Sequence, residues 1–518
     1  MNISILDCTL RDGGYMNNWN FKSEHIIKIL KSLNSVKVDI IELGYLKNNS
    51  TGQNSTLFPN IDVLKQYSTL LNNVKKVAMI NLGDWDIRGL EQNNKLIDGI
   101  RLAFHKKDLN IAIEQAKIIK NLGYELYFQP MVSKAYSDIE FLKMIELVND
   151  LNPYAFYIVD SFGSMSLKEF SHYLDICENN LKPSIKLGYH SHNNMQLAFC
   201  NAIKMCQSNL CHDIILDSSI YGIGRGAGNL NTELIANFLN KEYNKTYNYF
   251  YILEVIDELL ESLMKTKGWG FSPAQFLSAS LDCHPNYAAY LIGQNNYHLT
   301  KVFTVLQQIP KDKKINFDKN LITKLYTDSI LEQKTKINES INIKDKEIFI
   351  IASGYSVAEY KDMINNQIKA SKNPCVIALN HKPNDIICDY YLFSNQKRYD
   401  AFAALISPKQ TIITSNVEAQ NDIKNVLDIS SYAFVSSGEL ITNIINIALR
   451  WLIANGIKFV NIAGLDGYKI NGNNYSYDEN DVVIDFNTLK SHNETIEKLI
   501  NDAKNHINIK FITPTMFN

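Results

Sequence analysis

The sequence predicts an α/β protein in two parts: an N-terminal (β/α)8 TIM barrel with a helical extension, and a C-terminal Rossmann-like α/β domain. Three observations carry this. Over the first ~235 residues eight short apolar runs alternate with longer helical patterns, as parallel βα units do. Residues 241–335 lose the strand pattern and keep a helical one. After a polar stretch, ESINIKDKE, the βα alternation resumes.

The eight expected strands are Ile3–Leu6, Asp39–Leu43, Lys76–Asn81, Gly99–Phe104, Glu125–Pro130, Ala155–Val159, Lys186–Tyr189 and Asp213–Ser218. Helical patterns such as Glu24–Leu33, Leu109–Leu122 and Asp138–Leu151 lie between them. Eight strands over this length fit a closed barrel. A doubly wound sheet is the alternative, because periodicity alone does not close a sheet. The domain expectation is a barrel over 1–240, the helical extension over 241–335, a linker over 336–346 and the second α/β domain over 347–518. In the extension, IDELLESLMK and AQFLSASL are apolar at helical spacing. In the second domain the strand candidates are EIFIIASG, PCVIALN, YYLFSN, QTIITS, AFVSS and KFVNIAG.

Composition bounds the function. Of 518 residues, 46% are apolar and 20% charged, which suits folded cores and argues against wholesale disorder. The net charge of −2 gives no cationic field for nucleic acid or a membrane surface. The N-terminus lacks a basic segment followed by an apolar one, and no apolar run is long enough to span a bilayer. The cysteines form no CxxC pair, so reduced thiols in a cytoplasmic protein are expected. Lys is the default cation here and Arg is scarce, so an Arg inside a motif is informative.

Polar residues at the C-terminal ends of barrel strands converge on the active site. The first strand ends in LDCTLRDGG, the seventh in GYHSHNN, and the eighth runs into GIGRGAGN. His190 and His192 share one face of a strand, and two imidazoles aimed at one point suit a divalent transition metal. Asp12, across the closed barrel, completes a two-His-one-carboxylate set with positions left for water and substrate.

Together these three motifs resemble the pyruvate- and acyl-CoA-using (DRE-TIM) metallolyase superfamily. It includes 4-hydroxy-2-oxovalerate aldolase, hydroxymethylglutaryl-CoA lyase and the homocitrate and isopropylmalate synthases. The resemblance spans residues 1–295 and is strongest to 4-hydroxy-2-oxovalerate aldolase, whose post-barrel segment is similar to Gly268–Pro273 and Cys283–Tyr287. It implies Asp12, His190 and His192 as metal ligands, Asn229 as a ligand or near neighbour, and Arg11 as the catalytic arginine. The implied metal is Mn²⁺ or Mg²⁺, with Zn²⁺ or Co²⁺ able to substitute. A 2-oxo acid would chelate the metal, which as a Lewis acid would stabilise an enolate. Arg11 would add a fixed positive charge at the oxygen where negative charge grows.

One position departs from that pattern. Where the bacterial aldolase has an acid–base His, this chain has Tyr15. A phenol of pKa ~10 is a poor base at neutral pH. Either Tyr15 acts as an acid or binds substrate, or the proton goes to His284, Tyr287 or a water on the metal. Glu42, Tyr45, Asn81, Arg101, His105, Gln129, Asp160 and Ser161 are expected to line the pocket or support it. Gly224, Gly226 and Gly228 read as a loop beside the metal in preference to a phosphate cradle.

In the second domain, Ala352-Ser353-Gly354-Tyr355-Ser356 is a strand entering a Gly/Ser turn, which can present N–H groups to an anion. With Asn380, the Ser437-Gly438 turn and Gly464-Leu465-Asp466-Gly467, it resembles the Rossmann-like family of bacterial sialyltransferases and motility-associated glycosyltransferases. That resemblance implies a nucleotide or nucleotide-sugar pocket at Gly354, Ser356, Asn380, Ser437 and Gly438. No catalytic base for glycosyl transfer is identifiable.

The expected function is a divalent-metal-dependent aldolase joining or cleaving pyruvate, or a similar 2-oxo acid, and an aldehyde. By family analogy the aldehyde is of sugar type, as in surface-polysaccharide synthesis. The alternatives are an acyl-CoA-dependent Claisen condensation and a non-catalytic nucleotide-sugar-binding protein. A homo-oligomer is expected, with no nucleic-acid partner.

Overall fold

The structure, a computed structural model, describes residues 1–294, 298–332, 336–338, 341, 343–419, 422–436, 439–469, 474–476 and 486–517. It forms two compact units: Met1–Ala289 with Pro310–Phe317, and Tyr290–Ile309 with Asp318–Asn518.

The first unit is a closed parallel barrel. Its strands are β1 (Ile3–Asp7), β2 (Ile40–Leu46), the two-residue β3 (Leu57–Phe58), β4 (Lys75–Asn81), β5 (Gly99–Phe104), β6 (Glu125–Pro130), β7 (Ala155–Asp160), β8 (Lys186–Ser191) and β9 (Ile214–Ser218). The ladder runs β1-β9-β8-β7-β6-β5-β4-β2, and β1 pairs back onto β2 through Leu6 with Ile40 and Asp7 with Ile41. That last pairing closes the cylinder and rules out the doubly wound alternative. β3 adds only a short outer edge to β2.

Alternation along the strands sorts the side chains. Leu6, Ile40, Val77, Tyr127, Tyr157 and Ile215 form one buried cluster inside the ring. Ile3, Ile5, Ile41, Ala78, Ile80, Ile100 and Leu102 point the other way and pack with the helices. Those helices are amphipathic: Ser23–Val36 buries Ile26, Ile29, Leu30, Leu33 and Val36. Asp138–Leu151 and Leu167–Asn180 each start at a capping box, Ser137 with Glu140 and Ser166 with Glu169, which satisfies orphan N–H groups at the helix start.

Strands β1, β7 and β8 run one or two residues beyond the apolar stretch that predicts them, taking in Asp7, Asp160, His190 and Ser191. The backbone ladder is indifferent to side-chain polarity, whereas an apolar run stops at the first polar residue. These extra residues carry the barrel's polar end.

The second unit holds a seven-stranded parallel sheet. Its strands are β10 (Glu347–Ile351), β11 (Pro374–Leu379), β12 (Tyr390–Phe393), β13 (Thr411–Thr414), β14 (Asn425–Leu427), β17 (Phe459–Ala463) and β18 (Asn508–Phe511); between β14 and β17 come the short β15 (Phe434–Ser436) and β16 (Glu439–Ile441). The order is β14-β13-β12-β11-β10-β17-β18, which is compatible with a Rossmann-like domain. AFVSS does not join this sheet: β15 pairs antiparallel with β16. Three residues are too short to distinguish a hairpin arm from a sheet strand by pattern.

The helices Leu299–Gln307 and Lys319–Leu331 fall in the second unit, not with the barrel's extension. They bury Val302, Val305, Leu306, Ile322, Tyr326 and Ile330. Apolar periodicity shows that a helix has a buried face, not which core receives it. Among the described residues no helix is long and apolar enough to cross a membrane.

Candidate metal centre and active site

Polar residues come from the C-terminal end of β8, the turns after β1, β8 and β9, and, deeper in the barrel, from within β2, β5 and β9. After β1, the Cys8 N–H donates to Ser218 O at 2.8 Å, and Ile220 N–H donates to the Thr9 hydroxyl at 2.8 Å. These bonds pin the short helix Thr9–Asp12 to β9, with Arg11 and Asp12 both buried. On β8 and just past it, His190 and His192 lie on one face, their ring centres 5.6 Å apart.

One ligand atom from each of Asp12, His190 and His192 lies within 4.8 Å of the other two. Asp12 Oδ2 is 3.8 Å from His190 Nε2. Burial drives the His192 pKa down to about 3, so its ring is neutral and has a lone pair to give. Burial alone would raise the Asp12 carboxyl, but Arg11, the two histidines and the Asn229 amide hold it well below the usual carboxylate range.

Asn229 Nδ2 donates to Asp12 Oδ2, and Asn229 Oδ1 is buried with no partner. The preceding glycines permit this: a Cβ on Gly228 (φ +80°) would sit 2.0 Å from Gly222 O, and one on Gly224 would sit 2.5 Å from Asn229 Nδ2. The glycines therefore serve close packing around Asn229. A carboxylate, two imidazoles and an unpartnered amide oxygen fit a divalent cation.

Behind the metal set runs a chain of buried ion pairs. Arg11 donates to Asp12 Oδ1 at 2.7 Å and to Glu42 Oε2 at 2.9 Å. Arg101 donates to the same Glu42 oxygen at 2.6 Å and also pairs with Asp217. Asp217 Oδ2 lies 2.9 Å from His190 Nδ1, close in distance but off the line of a well-aligned hydrogen bond. Arg101 and its neighbours hold the Asp217 carboxyl below its ordinary value against burial. The chain thus returns to the metal set through His190, a carboxylate–histidine arrangement that can orient a ligand. Arg11 has one terminal NH2 that is buried and unpartnered.

Asp217 was not singled out from the sequence. Its signal was an acidic residue inside the apolar strand IILDS, which demands a buried cation. Arg101 and Glu42, expected as pocket residues, are links of this chain. Gln129 turns its amide oxygen to Arg101 Nε at 3.0 Å. Asp160 faces its own turn, accepting from the N–H groups of Ser164 and Met165, and burial raises it to about 6. Asn81 bonds Asp84 in the turn after β4.

Of the acid–base candidates, Tyr15 stands at the mouth, its hydroxyl 3.3 Å from that of Tyr45. The Arg225 guanidinium carbon lies 5.6 Å from the Tyr15 ring centre, and Arg225 donates to Ser161 O. His284 packs against Phe162, and burial, with Arg225 and His105 adding to it, lowers its pKa to about 3. Tyr287 is differently placed: its buried hydroxyl sits 2.8 and 2.9 Å from the carbonyls of Lys313 and Asn316. It fastens the 310–317 segment, and those backbone acceptors engage its proton.

In the second unit Gly354 and Asn380 line a cavity of about 150 Å³ with Arg398 and Asp466. The Gly/Ser turn is not an open anion cradle. Gly354 N–H donates to Gly464 O at 2.8 Å, and Ser356 gives its N–H and its hydroxyl to the Asp466 carboxylate. A Cβ on Gly354 would meet Gly464 O at 2.4 Å, so that glycine serves strand packing. Ser437 and Gly438 lie outside the described residues.

Residues 103–258 match the HMGL-like family model. The chain is 27% identical over 268 residues to 4-hydroxy-2-oxovalerate aldolase of Carboxydothermus hydrogenoformans, covering 51% of this chain and 78% of that protein. It is 25% identical over 243 residues to the protein of the same name from Geobacillus genomosp. 3, covering 46% and 71%. A crystal structure of the N-terminal domain of a protein from Bacteroides vulgatus superposes with a TM-score of 0.50 at 26% identity, covering 58% of this chain and 99% of that domain. These likenesses support the metallolyase superfamily that the barrel motifs resemble.

Proposed function

We propose that this protein is a divalent-metal-dependent aldolase that makes or breaks a carbon–carbon bond between pyruvate, or a similar 2-oxo acid, and an aldehyde. The observation that carries this reading is the meeting of Asp12, His190 and His192 beside the unpartnered NH2 of Arg11. The relatives named 4-hydroxy-2-oxovalerate aldolase support it.

Charge favours a monoanionic substrate. In the ion-pair chain three carboxylates face two guanidiniums, leaving one net negative charge. A divalent cation reverses that to one net positive charge, which a 2-oxo acid carboxylate neutralises. Asp12, His190 and His192 would hold the cation, with Asn229 Oδ1 as a further donor. Bound there, a divalent metal supplies Lewis-acid polarisation of the keto group. Arg11 donates its free NH2 to the oxygen on which negative charge develops as the C3–C4 bond breaks or a C3 proton leaves. Glu42 and Asp12 fix the plane of that guanidinium, so no reorganisation is needed during reaction.

His284 takes the role of proton donor to the aldehyde oxygen in this reading, because its Nδ1 accepts from the Asn286 N–H at 3.2 Å and leaves the ring proton on Nε2. It is neutral at working pH, half-buried, and close enough to Arg225 for that charge to act on it. Tyr15, half exposed and hydrogen-bonded to Tyr45, orients the aldehyde. With a pKa of about 3, the His284 ring stays neutral through pH 5–8. The ratio of wild-type to His284→Asn kcat/KM should therefore be constant from about pH 8 to 5 and shrink only as pH approaches 4 and below. A ratio that collapses near pH 6.5 would show an unperturbed imidazole, and a ratio of one throughout would remove His284 from the chemistry.

A cavity of about 280 Å³ beside the site is proposed for the aldehyde. Its walls include Asp160, Ser161, Phe162, Lys134 and Lys314. A sugar-type aldehyde is the finer reading, by family analogy. A nucleotide-type ligand in the second unit is supported by the place of its cavity at the ends of β10, β11 and β17, with Arg398 in the wall. Asp466 at the Gly354 turn directs any phosphate toward Arg398 instead.

The test is turnover of pyruvate and Mn²⁺ with a panel of simple, sugar and nucleotide-linked aldehydes, followed by mass spectrometry. A product of summed mass, or pyruvate release in reverse, is expected. Turnover that requires acyl-CoA, or none with any aldehyde, would overturn the reading.

A further inference from the structure

A second group of metal-ligating side chains lies at the other end of the barrel. Asp12, His190 and His192 lie at or just past the C-terminal ends of parallel strands. Cys211 and His212 precede the N-terminal end of β9, and Glu178 sits near the end of the helix Leu167–Asn180. One ligand atom from each of Glu178, Cys211 and His212 lies within 4.8 Å of the other two.

The histidine is the telling member. His212 is fully buried. Its Nδ1 lies 2.8 Å from the carbonyl of Ile185, which can only accept, so Nδ1 carries the proton. That leaves Nε2 with a lone pair. Nε2 is buried and has no hydrogen-bond partner, and the nearest charged atom is Glu178 Oε2 at 4.0 Å. A buried acceptor without a donor is unfavourable, and a bound cation would relieve it. An imidazole whose Nδ1–H is bonded to a backbone carbonyl and whose Nε2 faces a thiol and a carboxylate is arranged as metal-binding histidines are.

The carboxylate is also positioned. Both Glu178 oxygens lie 3.0 Å from the Cys211 backbone N–H, which ties the carboxylate to the residue bearing the thiol. Each oxygen keeps a further lone pair. For tetrahedral Zn²⁺ with ligand distances of ~2.0–2.3 Å, donor atoms stand roughly 3.4–3.8 Å apart. The observed group, with its atoms within 4.8 Å of one another, is wider by at most about 1.4 Å, within the reach of rotations of Cys211 and Glu178, which are not fully buried.

We propose that Glu178, Cys211 and His212 form a second, structural divalent-metal site of zinc type, separate from the catalytic set and open to solvent at its fourth position. Binding replaces the thiol S–H bond with a sulfur–metal bond and releases the proton to water. The site would link the helix Leu167–Asn180 to the turn before β9, at the barrel face associated with stability and not with chemistry.

The test uses Co²⁺ as a spectroscopic probe on the full-length reduced protein. Thiolate bound to Co²⁺ gives a near-ultraviolet charge-transfer band, which the Asp12–His190–His192 set, having no sulfur, does not. The band should saturate by two equivalents per chain in the wild type and by one in Asp12→Ala, and bleach when Zn²⁺ is added. It should vanish in Cys211→Ser and need roughly tenfold or more Co²⁺ in Glu178→Gln. It should persist in Asp12→Ala, which disables the other site, and in Cys200→Ser, which removes the other exposed thiol. No saturable band in the wild type, a band that survives Cys211→Ser, or one lost in Cys200→Ser would overturn the proposal.

Discussion

Arg11→Lys should lower turnover by roughly 10²–10³ while divalent-metal binding persists. The guanidinium spends Nε on Glu42 and one NH on Asp12, and keeps its second NH2 buried and unpartnered. An orphan donor in that position needs a partner, and the substrate oxygen supplies one. Lysine retains the charge but loses the planar fork that serves three acceptors at once. Its ammonium can pair with Asp12 or Glu42 and then has nothing aimed at the substrate. Steady-state kinetics with a parallel metal titration separates the outcomes. Wild-type turnover in the mutant would mean that Arg11 only holds the ion-pair chain together.

Asp217→Asn should weaken metal binding by about 10–100-fold, and activity with it, although residue 217 is not a ligand. Asp217 stands 2.9 Å from His190 Nδ1 and so directs Nε2 toward Asp12. The amide has nearly the same shape but no charge to favour Nδ1–H. A second cost follows at Arg101, whose fully buried guanidinium would keep Glu42 as its only carboxylate in this chain. Breaking a buried pair in this way typically costs about 3–5 kcal/mol, so denaturant unfolding should shift as well. Unchanged metal affinity with lowered stability would confine Asp217 to holding Arg101. No change in either would remove it from the account.

The barrel was legible because each of its strands contains an apolar run bounded by polar residues, and because order and spacing allow a closed ring. Ile3–Leu6 and Lys186–Tyr189 show both the strength and the limit of that signal. Each predicted strand is real, yet the structure carries them on to Asp7 and Ser191, past the residues where hydropathy changes sign. Arg11–Asp12 and His190–His192 were visible because two short motifs hold them. Asp217 was hidden inside a strand, where its charge needed an arginine from β5 that no local pattern connects to it. Tyr287 had the right chemistry and a motif to recommend it, but two backbone carbonyls engage its hydroxyl. The Gly354 turn was legible as a turn. That Asp466, 110 residues on from Ser356, fills it with a carboxylate is a tertiary fact.

The most direct measurement of the central claim is exchange of the pyruvate methyl protons in D₂O without any aldehyde, followed by mass spectrometry. With Mg²⁺ or Mn²⁺ present the wild-type protein should catalyse deuterium uptake, chelation should abolish it, added metal should restore it, and Arg11→Lys should slow it by the same factor as turnover. Exchange that continues unchanged in the presence of chelator and in Arg11→Lys would contradict a metal- and Arg11-dependent site.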